Sequence, residues 1–365
     1  MPKIHAARRA ALAQRLAAIG ADAALITDLV NVRYLTGLAS SNAAVLLPAD
    51  GPAVLATDSR YAGTAQRECS DLEIVIERAV ESVLTERAVA AGAFTVGFEA
   101  QEMTVARHVD LVASAADGLS LVPIGTIIED LRAVKDESEI ELVAAACAIT
   151  GEAFTAVLDM IRPFVTERQI AVAIERAMVD LGAEAPAFDT IVASGRNGAV
   201  PHHVPGQREV RSGDLITIDC GARVGGYHAD MTRTVAVGPV SAWQREIYDL
   251  VAGAQAAGVA ALAVGAVAGD VDAASRDLIA DAGHDEHFEH GVGHGVGLQI
   301  HEAPWLGPGR AGTLQDRAVV TIEPGIYLPD MGGVRIEDTL VVRAGSGAAA
   351  PAEPLTTISR ELLVL

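Results

Sequence analysis

The sequence predicts an α+β protein in two parts: a small α/β domain over residues 1–130 and a larger domain over 131–365. Three observations carry this reading. Helical segments alternate with short apolar runs in the first third, the chain changes character between Ile127 and Val134, and beyond that point helices interleave with hairpins until strands dominate after His290. With 365 residues, half of them hydrophobic, the chain can bury cores of that size. Its 27 Lys+Arg against 48 Asp+Glu give a formal charge of −21, and no dense basic cluster offsets it. Nucleic acid and anionic membranes are therefore poor partners.

Taken in order, residues 5–19 read as a surface helix and not a secretory signal, because Arg15 and Asp22 interrupt any long apolar run. Ala24 to Ile26, Ala43 to Leu47 and Ala53 to Ala56 read as strands of the first domain. Asp136 with Glu139 three residues on forms a capping-box variant, opening a helix whose apolar stripe runs through Ile140, Val143, Ala144 and Cys147. A further helix is expected over about 166–181, then a strand with a histidine-bearing loop, then a hairpin across Asp214 to Val237 turning at Gly225-Gly226. Ser241 and Gln244 can cap a helix reaching about Val264, with another over about 270–282. The apolar stretch Val251 to Gly269 reads as a buried helix broken near Gly265, not a membrane span. Cys69, Cys147 and Cys220 form no CxxC pair and no disulfide framework, which suits a reducing compartment.

The informative residues are acids placed inside apolar strands, where a lone ionised carboxylate is expensive. Asp219 interrupts Leu215 to Ile218. A two-residue turn at Gly225-Gly226 pairs Asp219 with Thr232 and sets Asp230 two residues away with the same parity, so both acids project from one face. Further on, a turn centred at Asp330 sets Glu323 opposite Glu337. Two hairpins thus offer four acids, and one arginine, Arg335, cannot neutralise them. His294, in Gly293-His294-Gly295-Val296-Gly297, has small neighbours that leave its ring as the only functional group. Four carboxylates and one imidazole suit two divalent ions, with an oxygen-rich set favouring Mn²⁺ or Co²⁺ over an all-His/Cys zinc site. Such a pair can activate water and polarise a carbonyl, so the chemistry implied is metal-assisted hydrolysis. Singly, each residue has an ordinary alternative: Asp219 a core or capping acid, Asp230 a surface turn acid, Glu323 a turn residue, Glu337 a partner for Arg335. Their joint register with His294 is what points to a site.

These residues resemble the pita-bread metallopeptidases, in the two-domain Xaa-Pro aminopeptidase and Xaa-Pro dipeptidase (prolidase) branch. The matching stretches are Ile218 to Gly221, Gly226 to Thr234, His290 to Gly297, His301 to Pro304, Ile322 to Gly325 and Val334 to Asp338. Asn31 to Gly37 and Thr57 to Tyr61 look like the creatinase-type N-terminal domain, and Leu131 to Lys135 with Glu139-Ile140 like its linker helix. The resemblance implies a creatinase-like α/β N-terminal domain followed by a pita-bread α+β catalytic domain. It implies that Asp219 binds one metal, Asp230 and Glu337 bridge both, and His294 and Glu323 hold the other. It makes Glu323 the proton acceptor, His202 and His301 the histidines that steady the carbonyl oxygen, His290 a wall of the proline pocket, and Arg335 an arginine that orients the carboxylates. Cys220 departs from the larger apolar residue that often follows the first ligand.

What the resemblance implies is a cytoplasmic, homodimeric enzyme with two divalent ions (Mn²⁺ first, Co²⁺ or Zn²⁺ as alternatives) that hydrolyses the Xaa-Pro bond at the N-terminus of short proline-containing peptides. The rival readings are a catalytically silent pita-bread binding protein and a creatinase-like amidinohydrolase. The full acidic set argues against both. His203 is open between a site residue and a solvated loop residue, while His284 and His287 read as part of a solvated acidic loop. His301-Glu302 is no zincin signature, since Trp305 stands where a second histidine would be needed, and no Ser or Cys triad is visible.

Overall fold

The computed structural model describes residues 2–114, 119–345 and 351–365. It divides into two compact units, Met1–Arg132 and Ala133–Leu365. In the first, the three apolar runs occupy inner positions of a six-stranded sheet in the order Glu73–Ile76, Val54–Thr57, Ala43–Pro48, Ala23–Ile26, Thr95–Phe98, Ser120–Pro123. Their near-continuous burial is what inner strands covered on both faces require. Helix Leu29–Thr36, inside the Asn31 to Gly37 motif, starts at Asp28, whose side chain accepts from Val30 N–H, and stops at Gly37 in the left-handed region.

In the second unit two helix pairs each cover a sheet. Glu137–Val157 opens with the expected capping box between Asp136 and Glu139, and Glu167–Asp180 with one between Thr166 and Gln169. These two pack on the antiparallel strands Ile191–Ser194, Leu215–Cys220 and Met231–Ala236 through Phe154, Ile174, Ile216, Ile218 and Met231. The segment Glu137–Met160 is long and apolar enough to cross a membrane by length and composition, and half of its apolar window is buried within the chain. Helices Ala242–Ala261 and Ala268–Asp281 cover a five-stranded sheet through Val251, Ile279, Val320, Ile322 and Leu340. The first of these ends before Val264, because Leu262 turns extended, and Gly265 adopts φ 84° between the two.

One expectation is corrected. Leu131 to Lys135 is not a linker helix: helix Ile127–Arg132 stops, and Val134 forms an antiparallel bridge to Ala318. Asp136 must be extended to cap the next helix, and this extended stretch sends Lys135 into the interior, where its Nζ lies 2.7 Å from Glu302 Oε1.

Both hairpins keep the expected register. Asp219 pairs with Thr232, and Val224 with Tyr227 across Gly225-Gly226. Ile322 pairs with Asp338 and Gly325 with Arg335, so Glu323 and Glu337 fall in the short gap between two ladders of one register. Because side chains alternate along a strand, each hairpin has two faces. Ile216, Ile218 and Cys220 turn to the helices, as do Val320, Ile322 and Ile326 in the second hairpin. Thr217, Asp219, Thr232 and Thr234 turn the other way, toward the second hairpin's Arg335 and Glu337.

Candidate metal centre

Close backbone approach places the acids. A Cβ at Gly221 would collide with the Ala229 carbonyl, and one at Gly293 with the Thr321 carbonyl, so only glycine lets the strands carrying Asp230 and His294 close on their neighbours. Asp230, His294 and Glu337, all buried, bring their ligand atoms within 4.8 Å of one another. His294 Nε2 lies 3.2 Å from Glu323 Oε1 and 3.6 Å from Asp230 Oδ2. Its Nδ1 is 3.1 Å from the Gly295 carbonyl, which can only accept. With Nδ1 donating there, Nε2 is the nitrogen turned to the acids; its proton bonds Glu323, and on losing that proton Nε2 would be free to serve as a metal ligand.

Asp219 accepts from Arg335 Nη2 at 2.8 Å, and Glu337 Oε2 accepts from Thr232 Oγ1 at 2.8 Å. Their other oxygens, Asp219 Oδ1 and Glu337 Oε1, are buried, and among the described residues neither has a hydrogen-bond partner. Orphaned acceptors of this kind are costly unless something electropositive meets them. Burial, with the neighbouring carboxylates, holds the carboxyls of Asp219, Asp230 and Glu337 above their usual range. Burial also works against charge on Glu323, but the hydrogen bond and charge of His294 override it and lower its carboxyl to about 2. The donor set thus carries more negative charge than its single arginine offsets, and divalent cations fit it.

Around this centre lies a cavity of about 830 Å³ whose lining includes Asp219, Asp230, His294, Glu323, Glu337 and Arg335. His202, His290 and His301 line it too. The His301 ring stands edge-on to His294, with centroids 4.4 Å apart. His290 is largely buried against Phe288, its Nδ1 2.8 Å from the Gly291 carbonyl and its Nε2 2.8 Å from Tyr327 OH. Since Nδ1 must donate, Tyr327 donates to Nε2 and in turn accepts from Arg335 Nη1 at 2.9 Å.

Arg335 thereby touches Asp219, Tyr327 and Thr232 at once. His203 also borders the cavity but turns its Nε2 to Glu167, while His284 pairs with His287 and neither is in the lining. Cys220 is buried and its thiol is pushed up by burial, which removes it as a nucleophile. Sequence reasoning missed Tyr327 and Thr232 as site residues. Tyr327 shares the parity of Glu323, so alternation alone could have placed it on the site face.

The Creatinase/Prolidase N-terminal domain profile matches residues 8–134, and that of Metallopeptidase family M24 matches 141–344, more than half of the chain. This chain belongs to metallopeptidase family M24. Among its relatives, a Xaa-Pro dipeptidase of Pyrococcus furiosus is 43% identical over 240 residues, covering 66% of this chain and 68% of that protein. The solved Xaa-Pro dipeptidase from Bacillus anthracis superposes with a TM-score of 0.93 at 34% identity, over 99% of this chain and 100% of that one. The X-Pro aminopeptidase from Thermotoga maritima gives 0.88 at 32% identity, over 97% and 98%. The expected creatinase-type N-terminal domain and pita-bread catalytic domain are thus both present.

Proposed function

We propose that this chain is a metal-dependent Xaa-Pro peptidase, cleaving the bond before proline at the N-terminus of short peptides. The observation that carries it is the pair of orphaned buried oxygens, Asp219 Oδ1 and Glu337 Oε1, on the same face as Asp230, Glu323 and His294. Those five residues would hold two divalent ions. When bound, the ions supply Lewis acidity, making water acidic enough to attack at neutral pH and polarising the scissile carbonyl.

The chain's own groups do the rest. Glu323, kept ionised, accepts the proton that the attacking water gives up. His301 and His202 donate to the carbonyl oxygen as it gains charge. Arg335 holds Asp219 in place from behind, and His290 with Tyr327 forms a wall against the proline ring. A bond to proline has no amide N–H, so a peptidase cannot align it through that hydrogen bond. Recognition by walls and carbonyl polarisation replaces it.

The oxygen-rich donor set favours Mn²⁺, with Co²⁺ or Zn²⁺ as substitutes. Three free, buried cysteines suit the cytoplasm, and the homodimer is the assembly that the family resemblance implies. Incubating the Mn²⁺-loaded chain with Ala-Pro and Ala-Pro-Ala tests the function. Release of alanine from at least one peptide is expected, and cleavage of only the dipeptide would settle the subclass as a dipeptidase. Two bound metals and no cleavage of either peptide would favour the binding-protein reading.

A further inference from the structure

Pro201-His202-His203 brings two adjacent imidazoles to the site, and the mechanism above uses only the first. The two rings part. Both border the cavity, but His202 is exposed there, whereas His203 is mostly covered and turns its Nε2 to Glu167 Oε2, 2.8 Å away.

Glu167 is the first residue of helix Glu167–Asp180 and is wholly buried. Acids are common in a first helical turn, but there they usually face water. This one does not cap the helix, because the Thr166–Gln169 box already does. Its Oε1 accepts from Ser194 N (2.8 Å), Ser194 Oγ (2.7 Å) and Asn197 Nδ2 (2.9 Å). Its Oε2 accepts from His203 Nε2 and from Gly206 N (3.3 Å). These donors span both ends and the middle of the segment 194–206 that carries His202. Ser194 Oγ is itself tied to Arg208, which pairs with Asp214. A buried carboxylate with this many donors is a strong, rigid anchor.

We infer that Glu167, through His203 and the segment it grips, is the positioning residue that aims His202 into the cavity. The inference rests on the peptidase reading, in which His202 donates to the carbonyl oxygen. Catalysis depends steeply on such placement, since a shift of about 1 Å can cost on the order of 10²-fold. Glu167 touches neither substrate nor metal ligand in this scheme; it acts only through His202.

The test is a double-mutant cycle on the full Mn²⁺-loaded chain hydrolysing Ala-Pro-Ala, with amide hydrogen exchange of residues 194–206 followed in parallel. Glu167→Gln is expected to lower kcat about tenfold or more with KM changed less than about twofold, and to add less than about twofold in a His202→Ala background. The Ser194 and Gly206 amides should exchange faster in Glu167→Gln and as in wild type in His202→Ala. Equal losses in both backgrounds, or an unchanged kcat in Glu167→Gln, overturn the inference. Should Glu167→Gln not fold, His203→Ala keeps the other donors to Glu167, and His203→Gln returns an N–H to Oε2. A loss of kcat in the first with recovery in the second is expected, and equal activity of the two overturns the inference. A wild-type chain that cleaves neither peptide refutes the peptidase reading instead. Hydrogen exchange then decides the anchor alone, and unaltered protection in Glu167→Gln overturns it.

Discussion

Thr232 Oγ1 donates to Glu337 Oε2 and accepts from Arg335 Nε at 3.1 Å, so one hydroxyl fixes both a candidate ligand and the arginine behind Asp219. Thr232→Val keeps the shape and removes both bonds. It should weaken metal affinity about 10- to 100-fold, as loss of a partner behind a ligand typically does, measured by Mn²⁺ titration calorimetry. An unaltered affinity would show that the carboxylates are placed without it. The acids also set a pH dependence. Asp219, Asp230 and Glu337 have carboxyls raised by burial, so the metal-free folded chain binds more protons than the unfolded chain above about pH 4. Its stability from these groups is full below that pH and falls as pH rises. Glu323 runs the other way: its contribution is present above about 4.5 and is lost as pH falls toward 2. Thermal melts between pH 5 and 8 should therefore show the metal-free chain weakening and the stabilisation by Mn²⁺ growing, because the ions displace those protons. A melting temperature of the metal-free chain that rises across this range would contradict the assignment.

At the level of elements, the extended stretch after Arg132 carries the clearest stability prediction. Lys135 is 1% exposed and Glu302 5%, with 2.7 Å between their charged atoms. Lys135→Met takes the cation away from a buried carboxylate and should cost about 3–5 kcal/mol in denaturant unfolding, while Lys135→Met with Glu302→Gln should recover most of that loss. Equal stability of the two variants would mean that the pair is not what holds this stretch. The same contrast shows what a sequence reveals. Both hairpin registers were legible, because alternation and a Gly-Gly turn are local signals that fix parity over the whole ladder. The capping boxes at Asp136 and Ser241 were legible for the same reason. Lys135 with Glu302, Tyr227 OH with Glu139, and Glu167 with its donors were not. Each joins residues dozens of positions apart, and locally Glu167 is one more acid in a first helical turn. The linker stretch reads as helix by resemblance to the family, while the burial of Lys135 that keeps it extended is a tertiary fact.

Across the whole molecule, every candidate ligand lies in Ala133–Leu365, and Met1–Arg132 has its own sheet and core. Chelation should therefore lower the melting temperature of the second unit and leave that of the first in place, resolved by calorimetry with and without EDTA. A single transition that shifts as one would show that the units melt together. The excess of acids, 48 against 27 basic residues, adds a general attraction for cations on top of the specific site. The chain from His290 through Tyr327 and Arg335 to Asp219 has a thermodynamic corollary. The wall proposed for the imino acid ring and the carboxylate proposed to hold a cation lean on one guanidinium. Ligand and ion occupancy are then reciprocally linked: whatever factor a bound peptide contributes to ion affinity, the ion must return to the peptide.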